Sequence, residues 1–233
     1  AFVANQNQTS VFLNYRKQWI SIPNSPEYLN GLLSLPLKNN KIGLGVQVHS
    51  HDIGMLKRQR LAGLYRYGLQ LNEINRLQFG VALGIERTQL DLSRIEAQQM
   101  DEFAFYQSNQ NALVGNFNVG LAYMRKNLSV GVSADFFSGS RLDFTNPVTT
   151  NTIGLSKVPT YNLQASYLVK LSSKWTYRPS LLVFSTQGLH LFADFSNQFS
   201  LDDKICFGIG YRQLRSLNAS FGYTFVNQLK VSY

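Results

Sequence analysis

Three histidines, His49, His51 and His190, are the residues that come nearest to metal or acid-base chemistry. His49 and His51 stand two positions apart, so on a β-strand both side chains lie on one face while Asp52 lies on the other. A zinc site needs three or four ligands drawn from Cys, His and carboxylate side chains. No cysteine or third histidine stands nearby in the sequence to complete such a set. We therefore expect no metal site.

Other catalytic motifs are not indicated either. A hydrolase built on a Ser-His pair would need a distinguished serine beside one of these histidines, and none carries a supporting motif. Gly-x-Gly occurs at residues 43–45 and 208–210, without the further glycines of a phosphate- or coenzyme-binding loop. The single cysteine, Cys206, has no partner for an internal disulfide. We predict no catalytic residues, no cofactor and a protein that is not an enzyme.

The segments that carry these residues alternate between apolar and small or polar side chains, which is the pattern of a β-strand. In residues 42–49, four aliphatic side chains alternate with Gly43, Gly45, Gln47 and His49. The same alternation returns in residues 77–86, 117–123, 128–136, 161–167, 205–212 and 217–225. We count about thirteen such segments, most of them near the ~9–11 residues that a tilted membrane-spanning strand needs.

The second face of these strands distinguishes a membrane barrel from a soluble sandwich. A sandwich presents Lys and Glu to bulk water, whereas this face holds mainly Gly, Ser, Asn, Gln and Ala, which suit a crowded lumen. Charged residues make up 15% of the chain, against about 25% in soluble domains. Aromatic residues lie mainly near segment ends, as in interfacial girdles. The predicted fold class is all-β: a transmembrane antiparallel up-and-down β-barrel of about 14 strands.

Tight and long connections alternate along the chain. The predicted tight turns are residues 37–41, 125–127 and 201–204. Long loops are predicted at residues 89–111, with room for a short helix, and 138–158, an extended polar excursion. No linker divides the chain, so residues 1–233 are predicted to form a single outer-membrane barrel domain. Because single-chain bacterial barrels close with an even strand number, we expect the closing strand to be missing from this sequence or disguised in its irregular stretches. No signal peptide opens the sequence, so export implies that the extreme N-terminus was removed by processing or trimming.

The charge pattern fits a membrane surface better than nucleic acid. Lys and Arg number 22 against 13 Asp and Glu, a net charge of +9. The basic residues are nevertheless scattered near the ends of apolar segments, where a barrel meets lipid head groups, so nucleic acid is not expected. Only Lys57-Arg58-Gln59-Arg60 forms a cluster, interpreted as a solvated strand end or a contact for an anionic head group or partner. Outer-membrane lipid is the expected neighbour.

A family resemblance is carried by the first part of the chain. Tyr15-Arg16-Lys17-Gln18-Trp19, followed by Pro23, forms a Tyr-Arg-x-Gln-Trp strand before a short turn with proline. His51-Asp52-Ile53-Gly54 follows a second hairpin that begins at Leu33-Ser34-Leu35-Pro36-Leu37. Over roughly the first 90 residues, these features resemble the PorP/SprF family of type IX secretion and gliding-motility membrane proteins. The candidate site residues by this resemblance are Tyr15, Arg16, Gln18, Trp19, Asp52 and Gly54.

A structural role suits the first four of these residues at least as well as a functional one. Arg16 and Gln18 share the interior face and could hydrogen-bond across the lumen. The expected acceptors are Glu86, Asp135 and Asp194. Tyr15 and Trp19 would anchor at the membrane interface. Interior charges of both signs indicate a plugged or narrow lumen.

The resemblance implies a non-enzymatic subunit in the outer membrane. It would help export or anchor large surface proteins, such as adhesins, through their C-terminal targeting domains, and would contact periplasmic or lipoprotein components of the machinery. The alternative of a different class is a passive porin or transporter for small solutes. A third is a soluble β-rich binding protein. Conductance in planar bilayers separates the first two, and dependence on detergent separates the third.

Overall fold

The computed structural model describes residues 8–38, 40–91, 110–139, 141–145, 152–186, 191–213, 216–225 and 230–232. All regular elements in these ranges are β-strands. Within the same ranges, no helix is long and apolar enough to cross a membrane.

Sixteen strands are assigned within the described residues. They are β1 Ser10–Lys17, β2 Glu27–Leu37, β3 Ile42–Ile53, β4 Leu56–Gln70, β5 Asn75–Leu90, β6 Gln110–Arg125, β7 Leu128–Phe137, β8 Arg141–Thr145, β9 Thr152–Ser156, β10 Thr160–Tyr167, β11 Val169–Lys170, β12 Trp175–Thr186, β13 Phe192–Leu201, β14 Ile205–Arg212, β15 Ser216–Thr224 and β16 Lys230–Ser232.

Strand order follows the chain. The main sheet runs from β1 to β7, then through β10, β12, β13, β14, β15 and β16, with β11 paired to β12 beside this path. Strands β8 and β9 form a separate two-stranded sheet. The predicted fold class is confirmed in its all-β, antiparallel, up-and-down strand order, and the thirteen strands of the path agree with the segments counted in the sequence. Within the described residues, β1 and β16 each pair with one neighbour.

The chain divides into two compact units. The first comprises Ala1–Tyr67, Gly80–Val119 and Asp135–Pro159, and therefore holds β1 to β3, the β8–β9 hairpin and the larger parts of β4, β5 and β6. The second comprises Gly68–Phe79, Gly120–Ala134 and Thr160–Tyr233. The prediction of one barrel domain over the whole chain stays a prediction.

Burial in the first unit is inverted relative to a soluble protein. The outer face of its strands exposes large apolar side chains, with Leu83 and Leu113 both 66% exposed. The interior face buries polar ones: Arg66 and Thr88 are 0% exposed and Glu86 is 4% exposed. Water would penalise such an outer face, whereas a hydrocarbon environment favours it, and the interior polar groups then bond to one another.

The outer face of the second unit carries a row of aromatic rings. The register places Phe199 opposite both Tyr177 and Phe207, and Phe221 opposite Phe207. Tyr177 and Phe199 stack with ring centroids 4.8 Å apart, and Phe199 and Phe207 with centroids 5.3 Å apart. Neighbouring aromatic pairs of this kind stabilise antiparallel strands. The row lies near the end of the sheet where β13 turns into β14. The predicted interfacial girdle stays a prediction.

The three predicted tight turns are confirmed, since β2 and β3, β6 and β7, and β13 and β14 are separated by two to four residues. Positive φ at Lys38, Lys126, Asp202 and Asp203 closes these turns. The β3–β4 turn is only Gly54-Met55, so strict alternation of tight and long connections was wrong there.

The two predicted long loops fare differently. In residues 89–111, β5 continues to Leu90 and β6 begins at Gln110, while the predicted short helix falls outside the described residues. Residues 138–158 were predicted as an extended polar excursion, and the structure adds that part of this segment pairs as the β8–β9 hairpin. Its strands are five residues long, too short for their alternation to stand out from a polar loop.

Candidate functional site

The candidate site is a group of charged side chains on the interior face of the first unit, called here the interior cluster. Its members are Arg58 and Arg60 of β4, Glu86 of β5, Asp135 of β7, and Lys157 in the connection between β9 and β10. Alternation along β4 points Arg58 and Arg60 to the same face as buried Ala62. The β3–β4 register then sets Arg58 opposite His51 and Arg60 opposite His49.

Glu86 is the centre of the interior cluster. Arg60 Nε and Nη2 donate hydrogen bonds to Glu86 Oε2 at 3.1 and 2.9 Å. Lys157 Nζ donates to the other carboxylate oxygen, Glu86 Oε1. Arg60 Nη1 also lies 3.8 Å from Asp135 Oδ1. A buried carboxylate is stable when its charge is paired and its oxygens accept hydrogen bonds, and Glu86 meets both conditions.

Lys157 brings a connection onto the interior face. The Lys157 side chain is 6% exposed, and both its Nζ and the Arg60 guanidinium carbon lie over the Phe137 ring, 5.2 and 5.6 Å from the centroid. Burial lowers the pKa of the Lys157 ammonium from its ordinary value, and the hydrogen bond to Glu86 opposes that shift. The ion pair between Lys157 and Glu86 therefore holds the β9–β10 connection against β5. Side chains occupy the interior face around Glu86.

Sequence reasoning found part of this cluster. Glu86 and Asp135 were predicted as interior carboxylates that accept hydrogen bonds from Arg16. Their place on the interior face was right, but the predicted partner was wrong. Glu86 and Asp135 face Arg60, and Asp194 accepts hydrogen bonds from Arg212 at 2.8 and 2.7 Å. Lys157 was missed, because it follows a short strand in a polar segment and carries no pattern that points inward.

Arg16 lies instead beside aromatic rings on the interior face. It is opposite Tyr28 in the β1–β2 register, and its guanidinium carbon is 5.8 Å from the Tyr28 ring centroid. Tyr28 in turn stacks on His51 with centroids 3.8 Å apart. Arg16, Tyr28, His51 and Arg58 therefore form one row across β1 to β4. Arg16, the arginine of the family motif, is therefore at one end of this row, and Arg58, a member of the interior cluster, is at the other.

The remaining motif residues on the N-terminal side belong to the strand end and the connection after it. Tyr15 is 62% exposed and Trp19 is 59% exposed. The backbone N–H of Gln18 donates to the carbonyl of Pro26 at 2.9 Å, which closes the base of the connection. Trp19 has a positive φ of 55°. Anchoring of Tyr15 and Trp19 at a membrane interface stays a prediction.

Asp52 and Gly54 lie where β3 passes into β4. Asp52 stands opposite Glu27 on one side and Lys57 on the other. Gly54 has a φ of 58° and its N–H donates to the Asn24 carbonyl at 3.1 Å, which ties this turn to the β1–β2 connection. A Cβ on Gly54 would meet nothing within 4 Å, so the backbone conformation, and not space, requires glycine here.

The histidines border the interior cluster. The rings of His49 and His51 have centroids 6.3 Å apart, and His190 lies outside the described residues. Among the residues that the structure describes, no three His, Cys, Asp or Glu side chains gather into a metal-binding group. A cavity of about 200 Å³ lies between the histidines and the interior cluster. It is lined by Gln47, His49, His51, Arg58, Arg60 and Glu86.

An antiparallel sheet with an apolar exposed face and paired charges on its protected face has the character of a membrane-spanning β-sheet protein. Residues 1–233, the whole chain, match the family model described as "Type IX secretion system membrane protein PorP/SprF". The chain therefore belongs to the PorP/SprF family of type IX secretion system membrane proteins, and the resemblance read from the sequence is confirmed. None of the curated proteins matches it.

Two solved structures are similar in fold. The NanC porin shares 10% identity, with 85% of this chain and 81% of that chain covered and a TM-score of 0.43. The CymD monoaromatic hydrocarbon channel also shares 10% identity, with 91% of this chain and 75% of that chain covered and a TM-score of 0.47. Neither likeness bears on what this chain binds.

Proposed function

We propose that this chain is a non-enzymatic outer-membrane subunit of the type IX secretion and gliding apparatus. In this role it helps export or anchor large surface proteins through their C-terminal targeting domains and contacts periplasmic or lipoprotein components. The observation that carries the proposal is the match of the whole chain to a family of this secretion system. Membership in that system makes secreted proteins and other components of the machinery the natural partners.

The arrangement of side chains supports contacts at the connections and not through the interior. Glu86, Arg60 and Lys157 occupy the interior face of the first unit, so an extended polypeptide would have to break buried ion pairs to pass there. The β1–β2 connection, by contrast, exposes large apolar side chains to the outside: Ile20 is 79% exposed and Ile22 is 54% exposed. Exposed apolar groups outside the strands are suited to a protein contact.

Site-specific photocrosslinking in native outer membranes tests the proposal. A photoreactive amino acid is placed at Ile20 in the β1–β2 connection, at Lys126 in the tight β6–β7 turn, and at Leu83 on the outer face of β5 as the control. In outer-membrane barrels the short turns face the periplasm and the longer connections face outward. We expect the Ile20 variant to capture a secreted surface protein and the Lys126 variant a periplasmic or lipoprotein component.

The control gives the result its specificity. Leu83 lies in the middle of a strand with its side chain directed away from the interior, so its variant should give adducts with neither class of partner. Recovery of no secreted protein and no periplasmic component from both test positions would overturn the proposed role. An open, ohmic pore that admits small solutes in planar bilayers would favour the passive-porin alternative instead.

A further inference from the structure

The cavity beside the interior cluster has the walls of a binding site for a small anion. It lies on the interior face among β3, β4 and β5, and its volume is about 200 Å³. A water molecule takes roughly 30 Å³ of liquid, so this space holds a solute of several heavy atoms. Polar side chains line it from all three strands.

Two residues that line this cavity each have a buried nitrogen without a hydrogen-bond partner among the described residues. Arg58 Nε and His51 Nε2 are both buried from solvent and have no hydrogen-bond partner among the described residues. Buried polar atoms are nearly always bonded, so an unpaired donor requires an explanation such as a ligand. The stack of His51 on Tyr28 fixes the plane of the imidazole. In the β3–β4 register His51 stands directly opposite Arg58, and both residues line the cavity.

The charges around the cavity favour an anion. The interior cluster has three cationic side chains and two carboxylates, and both carboxylates already face Arg60 or Lys157. Arg58 has no ion-pair partner among the described residues, so its positive charge is not matched. An arginine guanidinium has a geometry that matches the oxygens of phosphate and carboxylate groups.

We propose that this cavity binds a small oxyanion of the phosphate class, held by Arg58 and His51. The anion accepts hydrogen bonds from Arg58 Nε and from His51 Nε2 when the ring carries its proton there. Glu86 stays bound to Arg60 and Lys157 and is not displaced. Because the site faces the interior and not the apolar outer face, the anion is a free solute rather than a lipid head group. This inference does not depend on the role in secretion.

Binding of inorganic phosphate to the full chain in detergent micelles tests the inference. Titration is followed by broadening of the phosphate ³¹P resonance and by calorimetry, at constant ionic strength set with chloride. Saturable binding is expected for the unaltered chain, and Arg58→Gln should weaken it at least about tenfold, as the loss of a charge-assisted hydrogen bond does. Arg125→Gln, at the exposed end of β6, is the matched control and should leave the affinity unchanged.

A second variant keeps the test decisive where Arg58→Gln does not fold. His51→Ala removes the other donor and leaves the ion pairs of Glu86 in place, and it should weaken phosphate binding several-fold. Absence of saturable binding by the unaltered chain overturns the inference. So does an affinity that is unchanged in His51→Ala, or one that falls equally in Arg125→Gln, because either result describes diffuse attraction to a basic protein. A lipid with a phosphate monoester head group, dissolved in the same detergent, should compete poorly with inorganic phosphate. Strong competition by this lipid would contradict the assignment of the anion as a free solute.

Discussion

At the scale of single residues, Glu86 is the position on which the interior of the first unit depends. It was visible in the sequence as a lone carboxylate on a small, polar strand face. The structure adds that it accepts hydrogen bonds from two cations, one from β4 and one from a distant connection. Two cations that share one buried carboxylate repel each other once that carboxylate is neutral.

Glu86→Gln should therefore destabilise the folded protein more than its small change in volume suggests. Removing one partner of a buried ion pair costs about 3–5 kcal/mol, and we expect a loss of about 3 kcal/mol because the cluster borders a polar cavity. Urea unfolding in detergent micelles measures the free energy. Glu73→Gln, exposed in the β4–β5 turn, is the control and should change stability by less than about 0.5 kcal/mol. Equal effects of the two variants would contradict a central role for Glu86.

At the scale of elements, each strand has two faces with opposite requirements. Along β5 the side chains of Leu83 and Ile85 are exposed, whereas those of Ala82 and Glu86 on the other face are buried. The alternation predicted these faces correctly because a strand has a period of two, and a slip of one residue would put the whole apolar face inside. The environment of the outer face then sets the cost of a charge placed on it.

Leu83→Arg and Leu37→Arg compare two depths on that face. Leu83 is 66% exposed and lies in the middle of β5, whereas Leu37 is 45% exposed and is the last residue of β2. A lipid-facing arginine costs about 2–4 kcal/mol at the bilayer midplane and about 0–1 kcal/mol near the interface. We expect Leu83→Arg to lower the unfolding free energy by about 3 kcal/mol and Leu37→Arg by less than about 1 kcal/mol. Folding into lipid vesicles at increasing urea measures both, and similar losses would argue against a lipid-facing middle for β5.

At the scale of the whole molecule, the two tryptophans serve as probes of how deep the strand ends lie in the bilayer. Trp19 lies in the β1–β2 connection and Trp175 is the first residue of β12, so each stands at a strand end. Trp19 is 59% exposed and Trp175 is 37% exposed, and Trp175 lies edge-on to Phe207 at 6.0 Å between centroids. Tryptophan is favoured at the interface between head groups and hydrocarbon.

Fluorescence quenching by lipids brominated at different depths tests this placement. The variants Trp19→Phe and Trp175→Phe leave one tryptophan each, and both remaining tryptophans should be quenched more by bromine near the head groups than by bromine near the bilayer centre. The same variants in detergent-free buffer, unfolded with urea, provide the unquenched reference. Stronger quenching of either tryptophan at the centre would place that strand end inside the hydrocarbon, contrary to the expectation for an interfacial anchor.

The sequence by itself determined the strands of the main sheet, their two faces, three tight turns and the family. Each of these is a local property: a period of two, a short polar stretch or a run of motif residues such as Tyr15-Arg16 can be read without knowing what lies across the sheet. The turn glycine Gly54 belongs to this group as well, since its motif was visible and its positive φ explains it.

Only the tertiary structure decided which interior side chains meet. Lys157 and Glu86 are 71 positions apart in the sequence, and their contact depends on the path of a connection that no local pattern specifies. Arg16 lies on the same face as the carboxylates that were predicted to accept its hydrogen bonds. The strand register nevertheless places Arg16 opposite Tyr28, and Arg60 is the arginine that contacts Glu86. Facing direction is fixed by alternation along one strand, whereas partners are fixed by register and connections across several, and those arise only when the sheet has formed.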